Sequence, residues 1–313
     1  MQLYESLGQG VYVIDAEYTA KGVACFYCMV EDDEVAIIET GTAHSLPNLL
    51  QLLTELSISP EQVKYVIPTH VHLDHAGGVG VMMKQFPNAQ LVIHPSGAKH
   101  MIDPSQLVQS TIEVYGEKAF KKLYGEIPAV DANRVISAAH ESVIKLKNRE
   151  LLIVHTPGHA YHHLCVIDGT SKGIFTGDTF GLAYPDIMYQ QKRVVIPTTT
   201  PTQFDQPALH ASIDLLISHA PEKMYMTHFN SLPDPVQFAD QLKVWIDKYV
   251  DLTLKVKPVN ESQTTDLKIQ MGEMIARGFN LSSDIINNQL AIDIKLNAQG
   301  LAYWYQKQLS KSS

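Results

Sequence analysis

The segment Thr69-His70-Val71-His72-Leu73-Asp74-His75-Ala76-Gly77-Gly78 constrains this chain more than any other. It follows directly on the apolar run Val63 to Ile67, which reads as a strand, so it lies where a strand ends and a helix is about to begin. Residues i and i+2 of an extended stretch point to the same side, which lets His70 and His72 converge on one ion. Asp74 and His75 come as the chain bends and can face a second ion beside the first; the glycines then permit the turn into a helix. Three His and one Asp at these offsets arise by chance in on the order of one chain in a thousand of average composition. A polar surface loop is therefore a poor account of them.

One loop is an incomplete site, and three other strand ends supply more donors. His155-Thr156-Pro157-Gly158-His159 follows Leu151 to Val154, Thr176-Gly177-Asp178-Thr179 follows Gly173 to Phe175, and Thr227-His228-Phe229 follows Met224 to Met226. Each puts a hard or borderline donor just past a strand, at a sheet edge where ligands can gather. His and Asp donors of this kind suit zinc, and also iron or manganese.

Around these motifs the chain alternates strand and helix patterns. Val11 to Ile14, Ala24 to Val30 and Val35 to Ile38 read as antiparallel strands, with Asp32 and Asp33 marking a tight turn. Ser45 to Leu56 and about Gly78 to Phe86 have helical spacing, as does Ser105 to Tyr124, which Gly125 stops. Further strands are expected at Leu91 to Ile93, Leu164 to Ile167 and Lys223 to Met226, and a helix at Ala208 to Ser218. The Pro- and Thr-rich stretch from Gly181 to Pro207 reads as a long loop and so as a pocket wall. After Pro235 the pattern is helical, over Val236 to Leu254, Gln263 to Ala276 and a last segment ending near Trp304-Tyr305. The fold class expected is α+β: a four-layer αββα sandwich of two mixed sheets over residues 1–234, with a helical extension at 235–313 packed on it as lid or dimer surface.

Composition narrows the partners. With 313 residues, 45% hydrophobic and 18% charged, the chain can bury a large core. Its formal net charge is −9 and no basic stripe stands out, which argues against nucleic acid. No run of 18 apolar residues and no basic-then-apolar start occurs, so no membrane partner and a soluble, cytoplasmic chain are expected. Three Cys give no disulfide framework. Cys25 and Cys28 have redox-motif spacing, but within a strand i and i+3 face opposite sides, which speaks against a working pair.

The ordered set of HxHxDH (His70, His72, Asp74, His75), TPGH (His159), TGD (Asp178) and THF (His228) resembles the metallo-β-lactamase-fold superfamily, and within it the glyoxalase-II-like hydrolases, over about residues 8 to 230. The resemblance implies a dinuclear site. His70, His72 and His159 would hold the first ion, Asp74, His75 and His228 the second, and Asp178 would bridge them, with zinc the first expectation and iron or manganese also accepted. The stretches Glu39-Thr40-Gly41, His44-Ser45 and Gln203-Phe204-Asp205 further resemble a group of bacterial and archaeal members of that branch.

Two divalent ions bring +4 and Asp74 with Asp178 return −2, so the mouth is positive in a chain that is negative overall. Small anionic or carbonyl-bearing substrates are favoured there. A water shared by the ions would lose its proton near neutral pH and attack as hydroxide. Asp74 can orient it and pass its proton to the leaving group, with His75 beside it. The expected activity is hydrolysis of a small ester, thioester, lactone or phosphoester. His44, His162, His163 and Tyr184 are candidates to touch the substrate or support the ligands. His94, His100, His140, His155, His210 and His219 read as ordinary surface or core residues. Two other functions remain open: a mononuclear-iron oxidoreductase resembling the persulfide dioxygenases, and a ligand-sensing effector with vestigial hydrolysis.

Overall fold

Short apolar runs become strands, and the strands assemble into two mixed sheets. In chain order these are β1 (Tyr4–Gly8), β2 (Val11–Asp15), β3 (Cys25–Glu31), β4 (Glu34–Ile38), β5 (Val63–Ile67), β6 (Gln90–Ile93) and β7 (Val135–Ser137), which pair sequentially in one seven-stranded sheet. The first four are antiparallel and β4 to β7 are parallel. Then come β8 (Ser142–Leu146), β9 (Arg149–His155), β10 (Leu164–Asp168), β11 (Gly173–Gly177), a short ribbon of β12 (Met188–Tyr189) and β13 (Lys192–Arg193), and finally β14 (Lys223–Met226) and β15 (Asn230–Pro233). Apart from the ribbon these form a six-stranded sheet of order β15-β14-β11-β10-β9-β8, in which only β11 and β14 run parallel. The expected turn at Asp32-Asp33 is present, closing a hairpin in which Glu31 faces Glu34.

The helices are α1 (Leu46–Glu55), α2 (Leu73–Ala76), α3 (Val79–Gln85), α4 (Pro95–Ile102), α5 (Ser105–Tyr115), α6 (Glu117–Tyr124), α7 (Gln206–Ser218), α8 (Val236–Val256), α9 (Glu261–Phe279) and α10 (Ala291–Ser312). The computed structural model describes residues 3–199 and 202–312. Two units emerge from the contacts: Met1–His155 with His162–Gly177 and Pro221–Pro233, and Thr156–Tyr161 with Asp178–Ala220 and Asp234–Ser313.

Both sheets belong to the first unit, and both faces of β3 are buried for different reasons. Phe26 and Cys28 point into an apolar cluster with Ile14, Val35 and Ile37, covered by Leu49, Leu52 and Leu53 of α1 and Met82 and Met83 of α3. Tyr27 points the other way, its ring 5.1 Å from Phe175 and 5.5 Å from Tyr225 of the second sheet. The first contact is edge-on and the second tilted, and aromatic pairs of this kind add about 0.5–1.5 kcal/mol each beyond the area they bury. Cys25 and Cys28 are thus on opposite faces, both buried with thiols pushed up to about 12, as the strand reading requires. At the other end of the interface Arg149, fully buried, grips both oxygens of Asp168 and donates to the carbonyl of Gln9 (2.6 Å). Burial, the largest single influence on the Asp168 carboxyl, raises its pKa, but the guanidinium and Ser171 together outweigh burial and hold it below the usual range.

Two expectations change. Ser105 to Tyr124 is two helices, because Gly116 adopts φ +80 and ψ 151, a conformation that ends one helix and starts the next. The stretch from Gly181 to Pro207 is not structureless: Leu182 and Ile196 exchange backbone hydrogen bonds of 2.9 and 3.0 Å around the β12–β13 ribbon. Thr200 and Pro201 of that stretch lie outside the described residues. In the second unit this segment is tied to the C-terminal helices, with the Thr199 amide donating to Asn297 Oδ1 (2.7 Å) and Asn297 Nδ2 to the Pro197 carbonyl (2.9 Å). Trp245 of α8 stacks on Phe279 of α9 at 4.5 Å. Among the described residues no helix is long and apolar enough to cross a membrane.

Candidate metal centre

The carboxylate of Glu39, buried at the end of β4, organises the loop that follows β5. Glu39 Oε2 accepts from the Thr69 amide (3.0 Å), and Oε1 from Thr69 Oγ1 (2.6 Å), His75 Nδ1 (2.9 Å) and Thr227 Oγ1 (3.1 Å). Thr40 closes the loop from the other side, its amide and hydroxyl both donating to the His75 carbonyl (2.8 and 2.6 Å). The glycine of the TGD motif lies equally close: a Cβ on Gly177 would meet Thr69 Oγ1 at 2.3 Å and His163 Nε2 at 2.6 Å. Only hydrogen fits there.

Within the first unit His70 Nε2 lies 2.8 Å from His72 Nδ1, so these two side chains do converge. Asp74 and His75 occupy α2, a single helical turn for which His72 is the N-cap residue. Asp74 Oδ2 is 3.7 Å from His75 Nε2 and 3.5 Å from His228 Nε2. Asp74, His75 and His228 form one group with ligand atoms within 4.8 Å of one another. His228 arrives from the second sheet because the start of β3 pins the end of β14: the Cys25 amide donates to the Thr227 carbonyl (2.8 Å) and Tyr27 Oη to the Met226 carbonyl (2.6 Å).

These imidazoles suit a cation. His75 Nδ1 faces Glu39 and His228 Nδ1 faces the Val23 carbonyl at 2.8 Å, so each Nδ1 carries the proton and each Nε2 presents a lone pair toward Asp74. Two neutral imidazole lone pairs and a carboxylate aimed at one point are what a divalent ion requires. Glu39 also falls in a compact group with His70 and His75, but its oxygens are already occupied by four donors, so it supports ligands rather than binding an ion itself.

In the second unit His159 Nε2 is 3.3 Å from Asp178 Oδ2, and both side chains are buried. The Thr198 carbonyl lies 3.4 Å from His159 Nδ1, and Thr198 Oγ1 donates to the Asp178 carbonyl at 2.8 Å. Tyr184 Oη lies 3.3 Å from Asp293 Oδ1 on α10. Of the other candidates, His163 stacks on His70 at 4.8 Å and His162 lies 6.2 Å from it, both buried in the first unit. His44 is exposed, its Nε2 3.3 Å from the Lys121 carbonyl.

Sequence reasoning assigned no role to Glu39, Thr69 or Thr227. A signal existed: an acid directly follows the apolar run Val35 to Ile38, and a Thr precedes the His in both the β5 and β14 motifs. Three tyrosines were also missed. Tyr18 and Tyr124 stack with hydroxyls 3.1 Å apart, Tyr115 meets Tyr124 edge-on, and burial first and then the charge of Asp74 raise all three phenol pKa values.

Comparison with known proteins places this geometry. A profile of the metallo-beta-lactamase superfamily matches residues 21–228. The metallo-beta-lactamase fold-containing protein ST1585 of Sulfurisphaera tokodaii is 24% identical over 230 residues, 72% of this chain and 80% of its own length. Human acyl-coenzyme A thioesterase MBLAC2 is 25% identical over 194 residues, covering 56% of this chain and 65% of that protein. Among solved structures, the metallo-beta-lactamase family protein TTHA1429 from Thermus thermophilus superposes with TM-score 0.68 at 18% identity, over 98% of this chain and 95% of that one.

Proposed function

Since the chain belongs to the metallo-β-lactamase superfamily, we propose that it is a dinuclear-metal hydrolase of a small acyl thioester, in a branch resembling the glyoxalase-II-like enzymes. The observation that carries this reading is the Asp74–His75–His228 group, whose two imidazoles have their opposite nitrogens tied off. In this reading His70, His72 and His159 hold one ion, Asp74, His75 and His228 the other, and Asp178 bridges them. The thioester follows from the relatives, since MBLAC2 is named an acyl-coenzyme A thioesterase. A complete second group favours two ions over the single iron of a dioxygenase.

Divalent ions held there would lower the pKa of a bound water to about 7 and polarise the scissile carbonyl. Asp74, with 23% of its side chain exposed, accepts the proton the attacking water gives up and returns it to the departing thiol as the carbon–sulfur bond breaks. His75 and His228 flank Asp74, their Nε2 atoms 3.7 and 3.5 Å from its Oδ2, and a cation shared by the three would hold the carboxylate in place. Glu39 fixes the His75 tautomer, so that imidazole offers its Nε2 lone pair and not a proton.

Asp178→Ala and His70→Ala should each lose most of the bound metal by elemental analysis, together with hydrolysis across a panel of thioesters, esters, lactones and phosphoesters. Full metal content in either variant would overturn the ligand assignment. Two metals bound with no turnover on the whole panel would favour the sensing reading instead.

A further inference from the structure

Two residues after His159 the chain exposes an aromatic ring, and α10 lays a cation over it. Tyr161 is 49% exposed, and Lys307 Nζ lies 5.7 Å from its ring centroid. The arrangement is built rather than incidental. The Tyr161 amide donates to Gln203 Oε1 (2.8 Å), and the Asp205 amide to the Gly158 carbonyl (2.8 Å), so the loop carrying His159 is bound to residues 203–205. Phe204, buried between those two anchors, packs edge-on against Trp304 of α10 at 6.1 Å. Lys307 is three residues on from Trp304, on the same helical face, which brings its ammonium over Tyr161.

The cation has no acid to neutralise it. Among the described residues no ion pair engages Lys307, and Lys257, next to the Pro258 carbonyl that accepts from Gln306 Nε2 (3.2 Å), has none either. In a chain of net charge −9, an unneutralised lysine over an exposed ring attracts an anion that also carries a flat π-system. We propose that Tyr161 and Lys307 form the subsite for the nucleotide end of a coenzyme A thioester, the base stacking on Tyr161 and a phosphate meeting Lys307. The proposal rests on the thioesterase reading above and deepens it. Two residues of chain, at most about 7 Å, separate Tyr161 from His159, so a group bound at the ring can belong to the same substrate molecule as the thioester held near His159.

The test compares acyl-coenzyme A with the matching acyl-pantetheine, which keeps the thioester and lacks the nucleotide. Lys307→Glu should raise KM for acyl-coenzyme A by about 10-fold or more, leave its kcat near wild type and leave KM for acyl-pantetheine unchanged. Tyr161→Ala should act in the same direction. Lys311→Glu, the same charge reversal further along α10, should change neither. Equal effects of Lys307→Glu on the two substrates would overturn the subsite. Calorimetry on the metal-loaded protein makes it independent of turnover: wild type should bind free coenzyme A more tightly than pantetheine, and Lys307→Glu should abolish that difference. If coenzyme A shows no advantage over pantetheine in wild type, the subsite falls even if thioesters are hydrolysed. If the advantage exists but neither thioester is hydrolysed, the subsite stands and the thioesterase reading falls.

Discussion

Among single residues, Glu39 has the widest reach, because one buried carboxylate takes hydrogen bonds from the loops that carry His70, His75 and His228. It also adopts φ +62, a left-handed conformation uncommon for a residue with a side chain, at a position 1% exposed. Such a conformation persists where the surroundings over-determine it, and here four donors do so. Glu39→Gln keeps the size but puts an amide NH2 where one oxygen now accepts. With the amide oxygen turned toward the three donors at the Oε1 position, the NH2 faces the Thr69 amide and that bond is lost, while the uncharged oxygen is a weaker acceptor for His75 Nδ1, so metal affinity should fall about 10–100-fold, read by competition with a chromophoric chelator. An unchanged affinity would show that Thr40 and the helical turn orient His75 unaided. From sequence the His and Asp of the Asp74–His75–His228 group were legible as candidates, since such residues at fixed offsets have few other uses. Glu39 was not, because an acid after an apolar strand is equally the sign of an ordinary turn. What distinguishes it is pairing with residues 30, 36 and 188 positions away.

At the scale of elements, interior strands were readable and edge strands were not. β1 and β7 border the first sheet, β15 and β8 the second, and all four lack a continuous apolar run. A border strand buries one flank and one face at most, so its residues need not be apolar, whereas β3 and β11 are buried on both faces and announce themselves. α4 was missed for a related reason: its Ser, Gly and His dilute the helical pattern, and its start is set by a cap. His94 is that cap, its Nδ1 accepting from the Ser96 amide at 3.1 Å. Its ring lies 4.1 Å from that of His155, and burial, with a smaller effect from His155, pushes its pKa down to about 4. The unfolded chain, with an ordinary His near 6.5, therefore binds the proton first as pH falls. Stability that His94 contributes is complete above pH 6.5, declines as pH drops from there, and is gone below about 4. His94→Asn keeps a cap-competent side chain and removes the titration. Urea midpoints should fall less between pH 7 and pH 5 in His94→Asn than in wild type; an equal fall would assign the acid sensitivity to other groups.

For the molecule as a whole, the donors of the Asp74–His75–His228 group come from segments more than 150 residues apart and from both sheets, so the fold must form before they can meet. Ions bound by such a site bind the folded chain and not the unfolded one, and mass action then makes them part of its stability. A ligand present at about 100 times its dissociation constant adds about 2.7 kcal/mol. In a chain of this size that corresponds to a rise of about 4 °C in Tm. The sign follows from the charges, because packing Asp74, Asp178 and Glu39 into buried or half-buried places without a cation costs stability, and a chain with nine excess negative charges gains from any bound cation. Both effects act in the same direction here. Exhaustive dialysis against a chelator should therefore lower Tm by about 4 °C and abolish hydrolysis, and zinc, iron or manganese added back in excess of its dissociation constant should restore both together. A Tm indifferent to the chelator, with activity intact, would mean that these imidazoles and carboxylates hold one another by hydrogen bonds alone.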